Sequence, residues 1–283
     1  MADEPHPSVI YNTSSGKLRE AAGALRSRSS LAPEVAVILG SGLGPLADEI
    51  DASAAVPFAD IPGMTASSAP GHAGRLILGT LQGVPVVAMQ GRVHYYEGVA
   101  AQQVGFPVRL MHALGAGTLL VSNACGGLNP NWQAGELMLQ LDFINHTGAD
   151  PLIGPNDDAL GPRFPVMFDC YDAELRDIAR AVARSQDITL REGVYLAISG
   201  PSYATRAELR MYRSWGADAI GMSTVHEVAV ARHQGMRVLG ISCVTDMALP
   251  DAASHTTGEE VIAMAERAGG TFRQLVRGVL SSL

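Results

Sequence analysis

The chain has 283 residues, of which 47% are hydrophobic and 17% charged. That composition suits a single domain with a large core and excludes a disordered chain. Its formal net charge of −8, with no basic stripe to offset it, argues against a nucleic-acid partner. No apolar run approaches the length of a membrane span, and the N-terminus lacks the apolar stretch of a signal peptide. Cys125, Cys170 and Cys243 are too few and too scattered for a disulfide framework or a zinc site, so a cytoplasmic protein without a metal is expected.

In chain order, residues 1–12 read as a loose arm. Leu18, Ala21, Ala22 and Leu25 recur at helical spacing and predict a helix over 16–28. Val35–Leu39 is a buried-type strand that ends in Gly40-Ser41-Gly42-Leu43-Gly44. Arg75–Leu81 and Val84–Gln90 read as strands joined at Gln82-Gly83, and 100–114 as a helix interrupted at Pro107. The apolar run Leu119-Leu120-Val121 reads as a strand, and the small residues Ser122–Gly127 as a tight loop leaving its carboxyl end, with Gly126 and Gly127 free to take positive φ. Another strand follows at Leu137–Ile144, then a long loop over Gly148–Phe168 of the kind that is usually functional. The remainder alternates: helix 172–184, strand 193–199, helix 206–215, short strand 218–222, helix 225–233, strand 238–245 and a closing helix 259–280. This alternation predicts an α/β fold, one sheet covered on both faces by helices, in a single domain spanning 1–283.

Chemistry concentrates at strand ends, where open α/β sheets bind ligands. Gly40–Gly44 could cradle an anion with backbone N–H groups, and Ser41 adds a hydroxyl. As a dinucleotide fingerprint it fails, because it is GxGxG and lacks the acidic partner about 20 positions on. Gln90–Gly98 carries Arg92, His94 and Tyr96, which share a side if the chain stays extended. Arg is the side chain best matched to phosphate, and an Arg-x-His pair beside two glycine loops favours a functional reading over a structural one. Gly71-His72-Ala73-Gly74-Arg75 offers a further His and Arg. Gly200–Thr205, Gly221–Thr224 and Val244-Thr245-Asp246 add an aromatic wall, a methionine, hydroxyls and a carboxylate.

Taken together, these segments resemble the trimeric purine nucleoside phosphorylases, which share fold and reaction type with the methylthioadenosine phosphorylases. The resemblance runs from about Glu34 to Val261. It is carried by GSGLG (40–44), GHAGR (71–75), QGRVHYYEG (90–98), SNACGGLNP (122–130), GPND (154–157), RFP (163–165), GPSYATRAE (200–208), GADAIGMSTVHEV (216–228) and SCVTD (242–246). It implies a phosphorylase/hydrolase-like fold, with a mixed central sheet flanked by helices. The implied reaction is reversible phosphorolysis of purine ribo- or deoxyribonucleosides, with inorganic phosphate as co-substrate and no cofactor. It also implies a homotrimer whose 148–168 loop lies near the subunit interface.

By the same resemblance phosphate would meet Ser41, Arg92, His94, the Ala124 backbone and Ser223, with His72 closing over it. Ribose would lie on Tyr96 and Met222, and the base among Ala124, Cys125, Gly126, Tyr203, Ala204, Gly221, Thr245 and Asp246. His94 and Asp246 would be the catalytic pair, the second serving the leaving purine at N7.

Two positions depart from the 6-oxopurine pattern. Ala204 stands where those enzymes carry a Glu that accepts from N1–H, and Asp246 stands where they carry an Asn. A carboxyl kept protonated can donate to N7 while its other oxygen accepts from a 6-amino group. Both changes point to adenosine or 5′-methylthioadenosine, against the alternative of an inosine and guanosine phosphorylase. Leu160 matches the Phe that animal members send into a neighbour's site. Gly258 precedes Glu259-Glu260-Val261 where the family has a His for the 5′-hydroxyl, so either His255 replaces it or the pocket opens to a 5′-methylthio group. A nicotinamide-dependent oxidoreductase and a catalytically silent nucleoside-binding protein are the readings from other classes.

Overall fold

The structure is a computed structural model that describes residues 15–69 and 71–283; the expected arm, 1–12, lies outside the described residues. Helix α1 (Ser15–Arg26) buries the four residues whose spacing predicts it, Leu18, Ala21, Ala22 and Leu25. Strand β1 (Val35–Leu39) is buried throughout. Its Ala36 and Ile38 enter one core, and Val35, Val37 and Leu39 enter another on the opposite face, the two-residue alternation of a strand. Then follow β2 (Asp51–Pro57), β3 (Arg75–Leu81), β4 (Val84–Gln90), α2 (Ala101–Leu114), β5 (Thr118–Gly127) and β6 (Leu137–His146). The chain continues with α3 (Ala173–Ser185), β7 (Leu190–Ile198), α4 (Arg206–Ser214), β8 (Ala219–Gly221), α5 (Val225–His233), β9 (Arg237–Met247) and α6 (Gly258–Leu280).

Among the described residues these strands form one mixed sheet in the order β2-β3-β4-β1-β5-β8-β7-β6-β9. Because β5 also pairs with β9, the strands β5, β8, β7, β6 and β9 close into a ring. β1 runs parallel to β4 and β5, whereas β3 runs antiparallel to β4, and β6 antiparallel to β9. Helices α1, α2 and α5 cover the first core; α3 and α6 cover the second. Each fully buried Leu or Val in these layers contributes about 1.5–3 kcal/mol of burial free energy. Among the described residues no helix is long and apolar enough to cross a membrane.

The structure corrects several expectations. The strand at Leu119–Val121 does not end there: it runs to Gly127, pairing with β9 through a register shift at Cys125/Gly126 and with β8 at Gly126 and Gly127. Neither Gly126 nor Gly127 takes positive φ. Gly126 is small for another reason, since a Cβ there would stand 2.8 Å from the Ala248 Cβ and 3.3 Å from Asp246 Oδ2. Strand β2 was invisible because its Ala-rich, largely exposed residues carry no apolar alternation. Helix α2 continues through Pro107 without a break. Gly42, with φ +73, lets the loop after β1 press against Ala265 of α6.

Candidate active site

A cleft of about 140 Å³, open to solvent on one side, lies at the mouth of the strand ring. Its walls come from the end of β5 (Ala124, Cys125, Gly126), from β8 (Ile220, Gly221) and from the end of β9 (Thr245, Asp246). Loops add Ser41 after β1, Arg92, His94 and Tyr96 after β4, Tyr203 and Ala204 after β7, Met222 and Ser223 after β8, and His255 before α6.

One end is cationic and rich in donors. Arg92 is only 1% exposed. Its Nε donates to Glu227 Oε1 at 2.9 Å, and its Nη1 to the Ser122 carbonyl at 2.7 Å and to Ser223 Oγ at 3.3 Å. His72 lies outside the lining but supports it: Nε2 is 3.1 Å from Ser41 Oγ, and Nδ1 is 2.9 Å from the Arg92 amide nitrogen. Burial, reinforced by the neighbouring His94 and only partly opposed by the hydrogen bond to the Arg92 backbone, pulls the His72 pKa down to about 4, so this ring is neutral at pH 7.

The segment after β4 does not stay extended, because Tyr95–Glu97 forms a 3₁₀ turn. Arg92 and His94 precede the turn, His94 with extended backbone, and Tyr96 lies within it; all three line the cleft. The turn also brings Glu97 under His94: Oε1 accepts from the His94 amide at 2.7 Å and lies 3.2 Å from its Nδ1, while Oε2 accepts from the Ser68 N–H and hydroxyl at 2.6 and 2.7 Å. Burial would raise the Glu97 carboxyl, but these hydrogen bonds from His94 and Ser68 outweigh it and hold its pKa at about 2. A carboxylate at Nδ1 fixes the ring and leaves Nε2 for a ligand. Tyr96 stacks on the His94 ring with centroids 4.7 Å apart; burial lifts its phenol pKa to about 12.

The other end is largely apolar. Asp246 is half-buried there, and Thr245 Oγ1 lies 3.2 Å from its Oδ1 and 3.1 Å from the Cys125 carbonyl. Burial raises the Asp246 pKa, against opposing contributions from Thr245 and His255. Tyr203 packs against His255 with ring centroids 4.5 Å apart. Beside Ala204 the wall is completed by Ile198, Leu209, Ile220, Ala248 and Val261. Ile198, Leu209 and Ala248 fall outside the sequence motifs, and only the ring closure reveals them.

Of the expected residues, Leu160 is not part of this cleft. It packs against the core beneath α2 and α5, so any part it plays in a ribose pocket is not in this chain's own cleft. Glu97 and Glu227 lie within sequence motifs without an assigned role there; the signal for Glu97 is its spacing of three from His94, whereas Glu227 lies 135 positions from Arg92. Altogether, the cleft can hold an anion at the Arg92 end and a flat heterocycle at the Asp246 end, with an aromatic and thioether floor between them.

Residues 34–281 match the model of the phosphorylase superfamily. The chain is 48% identical over 266 residues to purine nucleoside phosphorylase 1 of Geobacillus stearothermophilus, covering 94% of this chain and 97% of the relative. It superposes on Schistosoma mansoni purine nucleoside phosphorylase in complex with adenosine with a TM-score of 0.91 and 37% identity, covering 95% and 98% of the two chains. A structure of Schistosoma mansoni purine nucleoside phosphorylase in complex with inosine gives a TM-score of 0.90 and 37% identity, covering 95% and 97% of the two chains.

Proposed function

The chain belongs to the phosphorylase superfamily, among its purine nucleoside phosphorylases, and from that premise we propose phosphorolysis of 6-aminopurine nucleosides, with adenosine or 5′-methylthioadenosine the favoured substrate. The observation that carries the preference is Asp246, a carboxyl raised by burial, at the largely apolar end of the cleft in company with Ala204.

The glycosidic bond breaks through an oxocarbenium-like state, with positive charge on the sugar and electrons moving onto the purine. Phosphate held by Arg92, Ser41, His94, Ser223 and the Ala124 amide is both nucleophile and counter-charge, so the scheme requires no cofactor. The sugar rests on Tyr96 and Met222. As the C–N bond lengthens, protonated Asp246 gives its proton to N7, and its other oxygen accepts from the 6-amino group. A 6-keto oxygen meets that second oxygen as lone pair against lone pair, and Ala204 offers no acceptor to N1–H. Losing such a bond costs ~1.5–3 kcal/mol, or roughly 10- to 150-fold in discrimination. His255, packed on Tyr203, lines the same cleft, and either it serves the 5′-hydroxyl or the pocket takes a 5′-methylthio group.

Schistosome structures are described with adenosine and with inosine, so preference is read here from Asp246 and Ala204, not from kinship. Ile153, Phe164, Val166 and Phe168, each at least 66% exposed on the 148–168 segment, support association into a homotrimer through that loop. Release of free base from adenosine, methylthioadenosine, inosine and guanosine, with and without phosphate, tests the proposal. Phosphate-dependent release that is faster from the two adenine nucleosides is expected. Inosine winning by about a hundredfold refutes the preference, and release independent of phosphate refutes phosphorolysis. Light scattering checks the trimer, which a monomer at working concentration rules out.

A further inference from the structure

We propose that Glu227 is a positioning residue for the anion end of the cleft: it clamps Arg92 by its Nε edge so that the Nη2 edge faces the phosphate. This rests on the phosphorolysis reading above. A guanidinium carries five N–H donors in a rigid planar fork. In Arg92 the Nε donor goes to Glu227 Oε1, and Nη1 serves the Ser122 carbonyl and Ser223 Oγ. Nη2 is fully buried and has no partner among the described residues. A buried cationic donor left open is costly, and a bound anion at that edge is what completes it.

Two of the three contacts on the held side come from one short piece of backbone, and the third, the Ser122 carbonyl, comes from β5. Ser223 precedes α5 and Glu227 lies in its first turn, a favourable place for a carboxylate beside the helix N-terminus. Between them Thr224 takes φ 76 and ψ −52, and the Val225 N–H donates to the Ser223 carbonyl at 2.9 Å, closing a γ-turn. Strain of this kind persists where the surroundings hold it. Here Asn123 Nδ2, on β5, donates to Thr224 Oγ1 at 2.8 Å. The turn therefore grips Arg92 at two points and leaves Nη2 without a partner among the described residues. The second oxygen of Glu227, Oε2, is buried and has no hydrogen-bond partner among the described residues, as expected of a one-sided clamp.

Geometry and charge predict opposite outcomes. A carboxylate next to an anion site repels the anion, so if Glu227 acted only through its charge its removal would tighten phosphate binding. A positioning role predicts that Glu227→Ala raises the phosphate KM roughly ten- to a hundredfold, with the nucleoside KM moving less than about threefold. Glu227→Gln keeps an oxygen for Nε while removing the charge, and its phosphate KM stays within about threefold of wild type. Glu227→Asp keeps the charge but loses the reach, and its phosphate KM rises; the Gln and Asp pair decides the matter even if the Ala variant does not fold. A phosphate KM unchanged or lowered in Glu227→Ala, an equal rise in both KM values, or Asp outperforming Gln overturns the proposal. Base release by wild type that ignores phosphate sinks the phosphorolysis reading itself, so the two failures are distinguishable.

Discussion

Replacing Asp246 by Asn tests the base-recognition chemistry most directly. The carboxyl sits where β9 and β5 come together, with Oδ1 3.2 Å from the Thr245 hydroxyl and Oδ2 alongside Gly126. Asn fits the same space, so the change is one of hydrogen-bond polarity and not of packing. An Asn amide donates where a 6-keto oxygen waits, and its carbonyl accepts from N7–H. Against adenosine the amide faces the 6-amino group donor to donor, leaving a buried donor unsatisfied at ~1–3 kcal/mol, while inosine gains a bond of ~0.5–1.5 kcal/mol. The sum, about 1.5–4.5 kcal/mol at 1.4 kcal/mol per decade, predicts a shift of roughly ten- to a thousandfold in the ratio of inosine to adenosine kcat/KM. Steady-state rates for the two nucleosides at saturating phosphate measure it. A ratio that does not move, in a variant with unaltered thermal stability, refutes the assignment of Asp246 to the base.

The same group sets a pH dependence: burial raises its pKa, its protonated form is the donor, and so kcat/KM for adenosine falls as pH rises through that pKa. Asp246→Asn should abolish that alkaline limb, and a limb that survives assigns it elsewhere. Glu97→Gln turns an NH₂ toward the Ser68 donors and loosens the His94 ring, with an expected loss of about tenfold or more in kcat/KM; activity equal to wild type shows that His94 needs no such support. His72, with its folded pKa near 4 against an ordinary 6.5, resists a proton that the unfolded chain accepts. Its contribution is therefore intact above pH 6.5 and erodes between 6.5 and 4, by up to about 1.4 kcal/mol per pH unit. Urea melts of wild type and His72→Gln at pH 7 and 5 should show the smaller acid loss in the variant, and parallel losses contradict the point.

How far the sequence reaches can be judged element by element. Val35–Leu39, Arg75–Leu81, Val84–Gln90 and Val225–His233 have the boundaries that the apolar pattern predicts, because each is a buried run bounded by glycine or polar residues. The carboxyl half of β5 was misread as a loop. Ser122–Gly127 are small and polar, and what keeps them extended is the pairing with β9 and β8, partners nearly a hundred or more positions away. The candidates apart from His72, Leu160 and Arg75, which is tied to Gln90 and Asp48, line one cleft, since motif residues announce themselves by chemical type.

The sequence by itself determined the layers, the family and the residues able to hold an anion and a purine, for these depend on local periodicity and on side-chain chemistry. Only the tertiary structure decided which edge of Arg92 stays open, that Glu97 backs His94 and Glu227 backs Arg92, and that Ile198, Leu209 and Ala248 wall the base end. Those facts arise from contacts between segments far apart in the chain, and the directions in which side chains meet are fixed by the closing of the sheet, not by any local pattern.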